Sequence, residues 1–252
     1  ITGENFGTDP SDISVSFNGT PAEFELVDES TIVATTPADY QTGSVTVTIH
    51  GYTMTGGAMF NPNSKGDVTV LYLQNYKQPF AKANDESWKN GEWWTPAVWN
   101  QNAASFNAKG NTTVSGMQYK SEEGLTLAFQ NGWDKEAYTN GKMWQVATLR
   151  PGKYRLEVTY AYTLVVTDAG NFISVLIAKG DSESDIPNVA DLEQLNGVYV
   201  AYDKMGTAND SGTLVTPSFE VTETTDVVIG FLTSLAKGNS YFKVTELKLI
   251  LE

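Results

Sequence analysis

The chain has 252 residues, 40% of them hydrophobic and 12% aromatic, with 30 acidic side chains against 16 Lys and Arg for a formal charge of -14. That is enough chain for one large folded domain or two smaller ones, and the charge argues against nucleic acid or an anionic membrane surface, both of which are bound through Lys and Arg. The absence of Cys excludes disulfides, thiolate nucleophiles and Cys-ligated metal centres, and the lone His50 excludes a multi-histidine metal site.

The first sixty residues read as β-structure. Ile13–Phe17, Thr31–Thr35 and Ser44–Ile49 alternate apolar and polar residues at period two, which sets one face on a core and the other in water. Asn18-Gly19 stands where a hairpin or bulged turn is needed. This stretch holds eight acids and no Lys or Arg, so it carries more than half of the net charge. His50 ends a strand within it and is expected at a surface or core position rather than in a hydrolytic triad.

Ile1-Thr-Gly-Glu-Asn-Phe-Gly7, Val15-Ser-Phe-Asn-Gly19, Ala34-Thr-Thr-Pro37 and Gly43–Ile49, in that order and spacing, resemble the immunoglobulin-like IPT/TIG domain. The strand that usually precedes the Ile-Thr-Gly segment is missing from the resemblance. The sequence also opens at Ile1 rather than Met, so the expectation is a truncated spacer domain over 1–62 in a processed chain. Asn61-Pro-Asn-Ser-Lys-Gly66 has linker composition.

Residues 63–252 are expected to form the second domain. Candidate strands are Asp67–Leu73, Leu125–Phe129, Met143–Leu149, Tyr154–Val166, Phe172–Ala178, Val198–Tyr202, Ser218–Val221, Val227–Thr233 and Tyr241–Leu251, with turn signals at Arg150-Pro-Gly152 and Lys237-Gly-Asn239. One short helix is predicted over Val189–Leu195. The fold class is therefore all-β: a small immunoglobulin-like sandwich followed by a larger β-sandwich jelly roll. Trp144–Tyr154 with its Arg-Pro-Gly turn, Val227–Phe231 and Phe242–Leu249 resemble the corner and closing strands of galactose-binding-like jelly rolls. This arrangement is shared with carbohydrate-binding modules and with C-terminal domains of Bacteroides surface proteins.

All six tryptophans lie between Trp88 and Trp144, and four of them, Trp88, Trp93, Trp94 and Trp99, fall within twelve residues. Indole faces stack on the C–H faces of sugars, whose hydroxyls take amide and carboxylate partners. Asn90 and Glu92 inside the cluster supply such groups, as do Asn84, Asp85, Asn100, Gln101 and Asn102 around it. Trp93 and Trp94 are adjacent, so in a strand they point to opposite faces and at least one belongs to a core. Asn131-Gly-Trp-Asp-Lys135 places Trp133 and Asp134 in a second polar stretch, whereas Trp144 opens a strand and is expected to be buried.

The carbohydrate-binding candidates are thus Trp88, Trp93, Trp94, Trp99, Trp133, Asp134, Asn90 and Glu92, with no catalytic and no metal residue assigned. A glycosidase needs two facing carboxylates, and Glu92 with Asp134 or Asp85 with Glu86 are pairs without a distinguishing feature. No cofactor is expected. Calcium is the one ion considered, at Asp181, Glu183 and Asp185 or at Asp203 and Asp210, without an EF-hand pattern. The resemblances imply a monomeric, non-catalytic polysaccharide-binding protein at the surface or in the periplasm of a Gram-negative bacterium, anchored to the outer membrane through a preceding part and not itself inserted. The alternatives are a glycoside hydrolase or its accessory module, and an adhesion module for protein partners.

Overall fold

The computed structural model describes residues 1–61, 64–83, 93–106, 115–131, 137–165, 170–206, 210–236 and 240–252. It is an all-β protein whose residues 1–71 and 72–250 form two compact units.

In the first unit, β1 (Ile13–Phe17), β2 (Thr20–Ala22), β5 (Gly43–Ile49) and β6 (Tyr52–Met59) make a sheet in the order β2-β1-β5-β6, and β3 (Phe24–Asp28) pairs with β4 (Thr31–Ala34). The predicted Asn18-Gly19 turn joins β1 to β2, with both residues at positive φ, 46° and 84°, as a two-residue hairpin of this hand requires. His50 and Gly51 repeat the device between β5 and β6. His50 is a turn residue whose exposed ring lies 3.3 Å from Asp12, a surface position. Phe6, Ile13, Val15, Phe17, Ile32, Tyr40 and Val47 form the core. Strand β6 is exposed along its whole length and gave no alternation to read.

Asn61 and Ser64 correct the linker reading. Both are buried and belong to the first unit: the Asn61 amide donates to the Tyr40 carbonyl at 2.7 Å, and its backbone N–H donates to Thr42 Oγ1 at 2.8 Å. Beyond them come the two-residue strand β7 (Gly66–Asp67) and a helical turn, α1 (Thr69–Tyr72), where a strand was predicted over Asp67–Leu73. The Asp67 carboxylate accepts the Thr69 N–H at 3.0 Å, closing a local turn that outcompetes the β-branched residues' strand preference.

The second unit is a sandwich of two antiparallel sheets. One contains β16 (Gly212–Val215), β13 (Gly152–Tyr160), β19 (Ser240–Leu251), β11 (Gly124–Asn131), β10 (Ser115–Lys120) and β8 (Trp93–Trp94) in that order, with β17 (Phe219–Val221) also on β13. The other runs β15 (Val200–Lys204), β14 (Phe172–Lys179), β18 (Thr225–Leu235), β12 (Tyr138–Leu149), β9 (Asn100–Gln101). Between them Phe231 packs against Phe129 with ring centres 4.9 Å apart, and Tyr160 against Phe242 at 5.4 Å, both pairs tilted, a burial of large rings that dominates core stability.

The predicted helix forms as α2 (Val189–Leu195). With the chain around it, it covers the outer face of the second sheet, where Trp144, Leu176, Val228, Leu232, Ile186 and Leu192 make a separate apolar cluster. Gly230 sits in the cross-strand row between Trp144 and Leu176, and a Cβ there would collide with the Met143 carbonyl and the Trp144 Cα. Trp144 is buried as its sequence position indicated.

Candidate functional site

Trp93 and Trp94 form β8, the edge strand of the first of these two sheets. Residues 81–83 and 95–97 run antiparallel, with Ala83 N–H donating to Thr95 O and Ala97 N–H to Ala81 O, both at 2.9 Å. Trp88, Asn90 and Glu92 lie outside the described residues, as do Asn84, Asp85, Glu86, Trp133 and Asp134. The two carboxylate pairs considered for hydrolysis therefore lie outside them too.

The described tryptophans separate by environment. Trp99 points into the sandwich, 5% exposed, 5.7 Å from the Phe231 ring, and donates its indole N–H to the Asn75 carbonyl at 3.0 Å. It is a core residue and offers no face to a ligand, which corrects its place among the binding candidates. Trp93 and Trp94 split across the sheet as adjacent strand residues must. Trp93 is in register with Gln118 and is 4% exposed, so its indole is likewise closed to stacking. Trp94, in register with Met117, is the partly exposed one.

Two positions along β10 from Met117 is Tyr119, 45% exposed and on the same side of the sheet as Trp94. The register makes the two rings diagonal neighbours, about 7–8 Å apart at their backbones and within reach of large side chains. Lys82 places its ammonium 5.8 Å from the Trp94 ring centre, a cation–π contact that fixes the indole's attitude. The edge thus combines one exposed ring, one partly exposed ring and one cation. Sequence reading missed Tyr119 because Gly116 interrupts the alternation of Ser115–Lys120; the residual signal was its aromatic-polar ending.

The opposite side of the same strands is polar yet closed. Gln118, Thr126 and Lys243 are buried there, Lys243 paired with Glu123 and lying 5.2 Å over the Tyr241 ring. The Gln118 side-chain oxygen has no hydrogen-bond partner among the described residues. An amide oxygen left so costs about 1–3 kcal/mol.

The acidic loops considered for calcium hold no metal cluster among the described residues. Asp185 accepts from the backbone N–H groups of Asp181 and Ser182, each at 3.0 Å, and from Ser182 Oγ at 2.6 Å, and Asp203 accepts from Val215 N–H at 2.9 Å. These bonds make Asp185 the cap of its own turn and tie Asp203 to β16. The Ser182 hydroxyl in particular holds the Asp185 carboxyl below its ordinary range. Among the described residues no helix is long and apolar enough to cross a membrane.

No curated protein matches the chain. Among solved structures it is similar to a glycoside hydrolase-like protein from Bacteroides thetaiotaomicron, at 12% identity over 92% of this chain and 83% of that one, with a TM-score of 0.42. A Stig cyclase from Fischerella sp. TAU is 14% identical over 69% of this chain and 96% of that one, with a TM-score of 0.40. A CBM22-1 xylan-binding domain from Paenibacillus barcinonensis is 12% identical over 68% of this chain and 97% of that one, with a TM-score of 0.33. Likenesses this distant carry no argument about what this chain does. The IPT/TIG domain model matches residues 1–64. The model described as a domain of unknown function, DUF5013, matches residues 74–230, more than half of the sequence, so the chain belongs to the DUF5013 family and carries an IPT/TIG domain ahead of that region.

Proposed function

We propose that this protein binds polysaccharide without cleaving it, through the aromatic edge of its second unit, with the IPT/TIG domain as spacer. The observation that carries the reading is the pair Trp94 and Tyr119: two partly exposed rings, diagonal neighbours on one sheet edge, with Lys82 beside them. Apolar ring faces satisfy the C–H faces of pyranoses, and the ammonium supplies a donor to their oxygens. Trp88, Asn90, Glu92, Trp133 and Asp134 remain candidates to extend this surface.

Kinship of the second unit with galactose-binding-like modules, a monomeric state and a place at the surface or in the periplasm of a Gram-negative bacterium complete the proposal. The test is affinity electrophoresis of the full chain against a panel of soluble plant and host polysaccharides, with reducing-sugar release followed in the same samples. Retention that Tyr119→Ala and Trp94→Ala both weaken, with no sugar released, supports the reading. Release of reducing ends would instead make it a hydrolase, and no retention on any polymer would leave the adhesion alternative.

A further inference from the structure

The excursion that covers the outer face of the second sheet lines an open cavity of about 450 Å³, within the range of small-molecule sites. Its placement follows from a set of side-chain anchors. Lys142 on β12 is 6% exposed and donates to the Ile186 carbonyl at 2.6 Å and the Glu183 carbonyl at 3.2 Å. Asn140 accepts the Val189 N–H at 2.9 Å, and Asn102 donates to Glu183 Oε1 at 3.2 Å. The turn is thus tied to the strand beneath it, and the cavity walls are held before any ligand arrives.

The walls differ in chemistry. Lys142 brings the one cation, and burial draws its amine below the ordinary lysine range. Pro187 contributes an apolar surface, and Tyr199 adds an aromatic ring whose hydroxyl donates to Asp185 at 3.2 Å. Asp185 is fully engaged with Asp181, Ser182 and Tyr199. Asp191 and Asn188 are exposed at the cavity, and their side chains make no hydrogen bond among the described residues.

A free carboxylate accepts two adjacent hydroxyls, and a free amide both donates and accepts. Two carboxylates against one ammonium repel phosphate, sulfate and carboxylate groups. We infer that this cavity is a second binding site, for one neutral, hydroxyl-rich sugar unit such as a chain end, with Asp191 and Asn188 as its hydrogen-bonding groups. It is distinct from the Trp94–Tyr119 edge and does not depend on it.

The experiment is saturation-transfer NMR and titration calorimetry of the full chain with methyl glycosides of glucose, galactose, mannose, xylose and arabinose. At least one should bind, about tenfold more weakly to Asp191→Ala, as expected for losing a charged hydrogen bond, and unchanged to Trp94→Ala. Asn188→Ala should weaken the same glycoside, and both substitutions, being at exposed positions, should leave the melting temperature unchanged. Binding of none of the glycosides at millimolar concentration overturns the inference. So does binding that Asp191→Ala and Asn188→Ala leave intact, or that Trp94→Ala abolishes. Loss of polysaccharide retention in Trp94→Ala with glycoside binding kept separates the two sites.

Discussion

Alanine at Trp94 and at Trp99 should give opposite phenotypes, although the two residues are five apart in one cluster. Trp99 is 5% exposed, packs 5.7 Å from Phe231 and donates to the Asn75 carbonyl. Its truncation leaves a cavity in the sandwich and should cost about 3–5 kcal/mol. At about 2–4 °C per kcal/mol for a chain of this size, the melting temperature of Trp99→Ala should fall by about 6–20 °C. Trp94 lies partly exposed on the sheet edge over Lys82, so its truncation should cost about 1–2 kcal/mol of stability. Its effect belongs to binding: a lost stacking surface of about 1–2 kcal/mol weakens polysaccharide retention by about 5–30-fold. Calorimetric melting and affinity electrophoresis on both variants read the two quantities separately. A Trp94→Ala protein that melts as early as Trp99→Ala, or that is retained as strongly as the parent, would refute the assignment of Trp94 to a ligand surface.

Other consequences follow from the polar groups. Gln118→Met replaces a buried amide whose oxygen has no partner among the described residues by an apolar chain of similar size, and should raise stability by about 1 kcal/mol in urea unfolding; a clear loss would mean that the amide is satisfied after all. Lys142 has a lowered pKa in the fold, chiefly from burial. The unfolded chain therefore holds more protons than the folded one between that value and the free-lysine range, and the unfolding free energy should rise as pH is raised through this window. Lys142→Met should flatten that rise when unfolding is measured up to about pH 10. Above it Tyr199, pushed up to about 12 by burial, keeps its proton in the fold after the unfolded chain has lost its own, so stability should turn downward; a continued rise there in the parent protein would contradict this.

Much of the fold was legible because period-two alternation and turn chemistry are local. Ile13–Phe17 with Asn18-Gly19 predicts a strand and a hairpin turn, and both form. Val189–Leu195 is a helix over the same residues as predicted. The misses lie where alternation is absent or broken, or where a local side-chain bond or a distant strand partner decides the backbone. Tyr52–Met59 has no buried face, Ser115–Lys120 is interrupted by Gly116, and Trp93–Trp94 is a strand only because β10 pairs with it. Thr69–Tyr72 turns helical through a bond to Asp67 that composition did not reveal.

The amino-acid order by itself determined that this is an acidic, cysteine-free, all-β chain with its tryptophans confined to the second part, because charge, thiol count and residue alternation need no three-dimensional partner. Which tryptophan faces water was decided by tertiary structure alone. Trp93, Trp94 and Trp99 have the same chemistry, and only the strand pairing of β8 with β10 and the closure of the sandwich over Phe231 assign them to a polar buried face, an open edge and the core. The cavity beside Lys142 is of the same kind: its walls come from residues 142 to 199, and no local pattern joins them before the chain folds.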